Sequence, residues 1–145
     1  MAEPRDLAGL AELMIQFSHE VDAPLTNGHV VGALEPLLGN PTIGDVWLLE
    51  SDRPIGYLVI TWGWGIESGG KEALIDELFV APDARNQGLA TAMLQAALDR
   101  AASHGTKAVF LETELENPKS RDLYKRLGFQ EESSVWLRAL LKTND

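Results

Sequence analysis

Leu78-Phe79-Val80-Ala81-Pro82-Asp83-Ala84-Arg85-Asn86-Gln87-Gly88-Leu89-Ala90 is the stretch that decides the fold, because the hydrophobic period changes in its middle. Up to Val80 the chain is an apolar run that reads as the end of a strand. From Gly88 onward Ala90, Leu94, Ala97, Leu98 and Ala101 fall on one helical stripe, and Gly105 stands where a left-handed cap ends a helix. Strand, turn and helix therefore follow one another here. Small residues at 88 and 90 leave the backbone bare where the helix begins. The first-turn N–H groups of a helix lack internal partners and lie at the positive end of its dipole, so they form a ready site for phosphate, and Arg85 adds positive charge beside it. A pyrophosphate is the natural guest.

Working outward, Ala8, Leu10, Leu13, Met14 and Phe17 predict a helix over residues 6–21, and Val30, Val31, Leu34 and Leu37 a shorter one after Asn27. Pro24 and Gly28 mark the loop between them, and Gly39-Asn40-Pro41 ends the second. Residues 46–50 and 56–64 are β-branched and aromatic runs separated by Ser51-Asp52-Arg53-Pro54, which is turn chemistry and predicts a hairpin. Residues 73–80 read as a third strand and 107–113 as a fourth. Asn117-Pro118 supplies an N-cap and a first-turn proline for a helix that Gly128 stops, and residues 135–141 read as a final strand. The expected order is ααβββαβαβ, with no internal repeat, which implies an α/β domain of three layers on a mixed sheet.

The 145 residues suit one domain with one core. No apolar run approaches the roughly 20 residues that cross a bilayer, so no membrane role is expected. There is no cysteine, which excludes disulfides, thiolate metal sites and a cysteine nucleophile. The N-terminus lacks the pattern of a signal peptide, so the cytoplasm is the expected compartment. A net charge of −10 argues against nucleic acid as a partner. Residues 1–70 carry ten Asp/Glu against two Lys/Arg, whereas residues 71–145 carry twelve against ten. An acidic first half suits a cationic partner, although plain surface solubilisation explains it as well.

Two motifs now combine. Arg85-x-x-Gly88-x-Ala90 resembles the first signature of the GCN5-related N-acetyltransferases, and it lies between strand and helix as that family requires. Asn117-x-x-Ser120-x-x-Leu123-Tyr124-x-x-x-Gly128-Phe129 resembles the second, about 30 residues later. The resemblance covers residues 46–141, and the two N-terminal helices agree with it. The family usually begins with a strand before its first helix, whereas here the first helix starts almost at Met1, so either that strand is missing or the start is late, which bears on the sheet's edge and not on the acetyl-CoA site. The resemblance implies an α/β/α acyl-CoA N-acyltransferase fold with a mixed, mostly antiparallel sheet, and acetyl-CoA as co-substrate. It implies that Arg85, Asn86 and the amides of Gln87, Gly88, Leu89, Ala90 and Thr91 hold the pyrophosphate. The main chain of Leu78, Phe79 and Val80 would pair with the pantetheine arm like an extra strand. Asn117 and Ser120 match positions near the cofactor, although Asn117 is also explained as a cap. Many relatives dimerise, so a homodimer is compatible with the resemblance.

An alkylamine with a pKa near 10.4 is neutral in about one molecule in a few thousand at pH 7, a deficit of roughly 4 to 5 kcal/mol. A base must therefore take its proton. Asp76 and Glu77 lie on the strand that leads into the cofactor turn, and neighbouring strand residues point to opposite faces, so one of them is expected to look into the substrate cleft. Asp76 is preferred because the resemblance places the family's acid at this position, and Glu77 stands second. The competing reading is a solvated carboxylate, or one paired with Lys71. Tyr124 matches the family tyrosine near the CoA sulfur that acts as general acid, against the plainer reading of a half-buried helix tyrosine. Trp62, Trp64 and Glu67 are expected near an acceptor pocket, where aromatic walls and a carboxylate suit a cation. Core or surface packing explains the tryptophans equally well.

Rival chemistries fail on particular residues. Gly65-x-x-x-x-Gly70-Lys71 approaches a phosphate-binding P-loop, but Glu72 stands where Ser or Thr must ligate magnesium, and a strand follows instead of a helix. No Gly-x-Gly-x-x-Gly occurs. His19, His29 and His104 are isolated, so neither metal nor a triad is expected. A binding module without turnover is the alternative from a different class. The acceptor is expected to be a small cationic amine, with an aminoglycoside-like compound, an amino acid, a lysine or a protein N-terminus all compatible.

Overall fold

The computed structural model describes residues 1–143, which divide into one unit of Met1–Glu112 and a second beginning at Thr113. In the first unit a short 3-10 turn at Pro4–Asp6 leads into α1 (Leu7–Glu20), followed by α2 (Asn27–Gly39), β1 (Gly44–Glu50), β2 (Pro54–Gly65), β3 (Gly70–Val80), α3 (Leu89–Ser103) and β4 (Ala108–Leu111). The second unit holds α4 (Pro118–Arg126). The strands form one sheet in the order β1-β2-β3-β4, antiparallel except that β4 runs parallel to β3.

Strand alternation divides the core between the two faces of this sheet. Tyr57 and Val59 of β2, with Val46 and Phe79, meet Leu10, Leu13 and Met14 of α1 and Val30 and Leu34 of α2 in one buried cluster. Leu58 and Ile60 point the other way, toward the face covered by α3, whose Met93, Leu94, Ala97 and Ala101 are buried. Helices therefore lie on both sides of the sheet, as the apolar stripes require. Leu10 and Leu94, one on each side, are fully buried, and truncating either to alanine would cost about 2 to 5 kcal/mol.

The register of β3 changes phase part-way along. Val59 pairs with Glu77, but Ile60 pairs with Ile75, so Asp76 is an extra residue in a β-bulge. Before it, Ala73 and Ile75 share the α3 side with Trp62 and Ile60. After it, Glu77 and Phe79 share the α1 side with Val59 and Tyr57. Odd-numbered positions thus change faces across Asp76.

The parallel ladder between β3 and β4 also stops here, at the pair Ile75 and Leu111. Among the described residues, positions 76–80 have β2 on one side and no strand on the other.

Residues 135–141 do not form the expected final strand. Val135, Trp136, Leu137, Leu140 and Leu141 are between 69% and 91% exposed, and no ladder includes them. A strand exists only where a neighbour supplies its hydrogen bonds, which composition alone does not specify. The element order is correspondingly ααβββαβα.

Candidate active site

The turn after β3 has the backbone that an anion site needs. A 3-10 turn at Pro82–Ala84 leads to Asn86 at φ 62° and Gly88 at φ 76°, both left-handed. Asparagine tolerates that region and glycine adopts it freely, which explains these two residue types here. A Cβ on Gly88 would meet nothing within 4 Å, so its side is open. The first helical hydrogen bond of α3 runs from the Ala92 N–H to the Gly88 carbonyl at 3.1 Å. The N–H groups of Leu89, Ala90 and Thr91 have no partner within the helix, and no side chain caps them.

Arg85 does not reach into this opening. Its Nε donates to the Val80 carbonyl at 2.8 Å, its Nη2 donates to both oxygens of Glu20 at 2.7 and 2.8 Å, and its guanidinium lies 5.6 Å over the Phe79 ring. It thereby ties the turn to the last turn of α1. Both partners are more than a third exposed, so the pair contributes less than about 1 kcal/mol. Positive character at the turn comes from the backbone.

Asp76 and Glu77 differ in setting. Asp76 is exposed, yet the protein around it pushes its carboxyl above the usual range by desolvation. Glu77 is half-buried and also raised, first by burial and further by the neighbouring Asp76 charge, while a hydrogen bond draws it part-way back. That bond comes from the Tyr57 hydroxyl, which donates to Oε2 at 2.7 Å. Tyr57 is fully buried, and its phenol is pushed far upward by burial and by the two carboxylates, so it remains protonated. Simple alternation no longer sets the two acids on opposite faces, because the bulge lies between them.

The expected aromatic acceptor wall lies elsewhere. Trp62 has the parity of Leu58 and Ile60, so it faces the α3 side. It stacks on His104 with ring centroids 4.0 Å apart, under the Arg100 guanidinium at 5.9 Å. Arg100 pairs at 2.7 Å with buried Asp45. Trp64 and Glu67 are exposed toward the β2–β3 hairpin tip, and Trp64 is about five residues, roughly 17 Å of strand, beyond Val59, the cross-strand partner of Glu77. A separate groove of about 310 Å³ between β1 and α3 is lined by Trp47, Leu49, Leu89, Ala92 and Met93 among others. None of its lining side chains is titratable.

In the second unit Asn117 caps α4, accepting from the Ser120 N–H at 3.3 Å. Tyr124 packs edge-on to Phe129 at 6.0 Å, and burial pushes its phenol upward, opposed by the Ser120 side chain. Arg121 pairs with Glu131, whose carboxyl is held below the usual range by it.

Residues 15–129 match the family model described as the acetyltransferase (GNAT) family. The chain belongs to that family. It is 34% identical over 106 residues to an uncharacterized N-acetyltransferase of Methanocaldococcus jannaschii, covering 63% of this chain and 47% of the relative. It is 40% identical over 82 residues to N-alpha-acetyltransferase 30 of Schizosaccharomyces pombe, covering 56% and 53%. The chain thus spans about half the length of these curated relatives. Among solved structures, an integron cassette protein from the mobile metagenome of Cole Harbour Salt Marsh superposes with a TM-score of 0.86 at 33% identity, over 98% of this chain and 89% of that one. The mixed sheet with helices on both faces is the family's fold.

Sequence reading missed Tyr57. The run Tyr57-Leu58-Val59-Ile60 reads as plain core, but a hydroxyl inside such a run must find an acceptor, and that requirement was the available signal.

Proposed function

We propose that this domain transfers the acetyl group of acetyl-CoA to a primary amine. The observation that carries the reading is the pairing of two openings, the unpartnered N–H groups at the start of α3 and the unpaired edge of β3 that leads into them. The first suits a pyrophosphate and the second an extended arm with amide groups. Acetyl-CoA supplies an activated thioester carbonyl. The amides of Leu89, Ala90 and Thr91 hold the phosphates, and the main chain of residues 78–80 orients the arm. Glu77 accepts the amine proton. Its upward shift brings its affinity for a proton nearer to working pH, which suits a general base. Asp76 is the second candidate, and Tyr124 keeps the role of proton donor that the family resemblance gives it.

The acceptor proposed is a small cationic amine, in keeping with the acidic first half of the chain. A polypeptide N-terminus is the second reading, favoured by the likeness to the fission-yeast N-alpha-acetyltransferase. No helix among the described residues is long and apolar enough to cross a membrane, which fits a cytoplasmic setting.

Calorimetry with acetyl-CoA, followed by thiol release across a panel of amines and short peptides, tests this function. Turnover with one class names the acceptor. Binding without any turnover would favour a regulatory module, and absence of binding would remove the reading altogether. Tyr124→Phe is expected to lower kcat by about 10- to 100-fold with acetyl-CoA affinity unchanged. Unchanged kcat would take Tyr124 out of the chemistry.

A further inference from the structure

Pairing with Val59 places the Glu77 carboxylate on the face that holds Tyr57, and Tyr57 has little freedom there. Its ring is fully buried, 5.9 Å from Phe79, which in turn lies 5.6 Å from Phe17 of α1. Three aromatic rings from β2, β3 and α1 therefore fix the direction of one hydroxyl. That hydroxyl donates to Oε2 of Glu77, while Oε1 receives no hydrogen bond among the described residues.

We propose that Tyr57 is a positioning residue, whose hydroxyl holds Oε2 of Glu77 so that Oε1 is presented to the acceptor amine. This rests on the assignment of Glu77 as base made above. A buried phenol needs only one acceptor, and a main-chain carbonyl would serve; a half-buried carboxylate on a displaced strand residue is a costlier partner unless the carboxylate has work to do.

The hydroxyl also sets the charge of Glu77. Burial and Asp76 on the same strand both favour the neutral acid, and the bond from Tyr57 on β2 favours the carboxylate. Beyond Phe79, Arg85 of the turn lies over the Phe79 ring and pairs with Glu20 of α1. Removing the hydroxyl thus raises the proton affinity of Glu77. A base is active when deprotonated, so the acid limb of the rate profile moves to higher pH.

The test compares pH profiles of kcat/KM for the unaltered protein, Tyr57→Phe and Glu77→Gln. Phenylalanine keeps the ring and its packing. The expected result for Tyr57→Phe is an acid limb displaced to higher pH, kcat lowered by about tenfold, and the KM for acetyl-CoA within about twofold. A purely structural tyrosine would lower thermal stability and leave the limb in place. Carbon-13 titration of the glutamate carboxyls, with Glu77 assigned by its absence in Glu77→Gln, reads the same displacement without turnover. Should Tyr57→Phe not fold, the Tyr57 hydroxyl proton in the unaltered protein is expected to shift with the midpoint of Glu77, and a resonance blind to that titration overturns the proposal. If Glu77→Gln keeps full kcat, the base assignment itself fails. If Glu77→Gln is inactive while Tyr57→Phe leaves limb and midpoint unmoved, only the role of Tyr57 falls.

Discussion

The two ends of α3 solve the same problem in opposite ways. At the C-terminal end Gly105, at φ 81°, turns the chain back so that its N–H reaches the Ala102 carbonyl and the Thr106 N–H reaches that of Ala101, both at 3.0 Å. Lys71 adds a bond to the His104 carbonyl at 2.9 Å, and Trp62, His104, Arg100 and Asp45 pack around it. At the N-terminal end a left-handed glycine again marks the boundary, but no side chain among the described residues caps the donors it exposes. A helix end left open costs stability unless water or a ligand fills it. One end of α3 is closed by the protein itself, and the other is left open, as the proposed acetyl-CoA site requires.

The contrast breaks most visibly at Gly88. Gly88→Trp is expected to weaken acetyl-CoA binding by more than about 100-fold, roughly 3 kcal/mol, measured by calorimetry on protein whose circular dichroism is unchanged. Arg100→Ala should leave binding alone and instead cost about 2 kcal/mol in urea unfolding, because it strands the buried Asp45 carboxylate; the cost stays below that of a fully buried pair since Arg100 is about a third exposed. Gly105→Ala should lose about 1 kcal/mol for a left-handed backbone without a glycine, again with acetyl-CoA affinity unchanged. A binding defect in either variant would show that the two ends are coupled.

The smallest effect concerns pH. Desolvation, with Lys71 and Arg100 nearby, holds His104 below its usual range, and Asp45 only partly offsets them. The native state thus favours neutral His104, so stability is unaffected above the unfolded value near 6.5 and falls as pH drops through that value toward the lower folded one. His104→Gln should flatten this acid-side loss in thermal melts recorded between pH 7 and 5.

How much of this was legible follows from the range of the interactions involved. The turn at 85–90 and both glycines of α3 are local, so periodicity and residue type located them. Trp62 shares the parity of Leu58 and Ile60, but which layer that parity faces is set only by packing against α3. Other features depend on partners far along the chain. The pairing of Arg85 with Glu20, 65 residues away, is invisible in the local motif. The bulge at Asp76 depends on how β2 registers against β3, and no residue near 76 announces it. Residues 135–141 carry strand composition without a ladder to join.

That single inserted residue gives β3 something like a reading frame. Odd positions on one side of Asp76 address one layer of the protein and on the other side the opposite layer, because the bulge absorbs the surplus residue and the other β2–β3 pairs stay consecutive. Deleting Asp76 alone would set Ile75 and Glu77 side by side, still opposite Ile60 and Val59, so the bulge would close while Glu77 and Phe79 kept their layer. A residue lost elsewhere in β3, with the bulge kept, would instead slide one half of the strand past β2 and turn its side chains to the wrong layer, so position 76 is the one place in this strand where a change of length leaves the addressing intact.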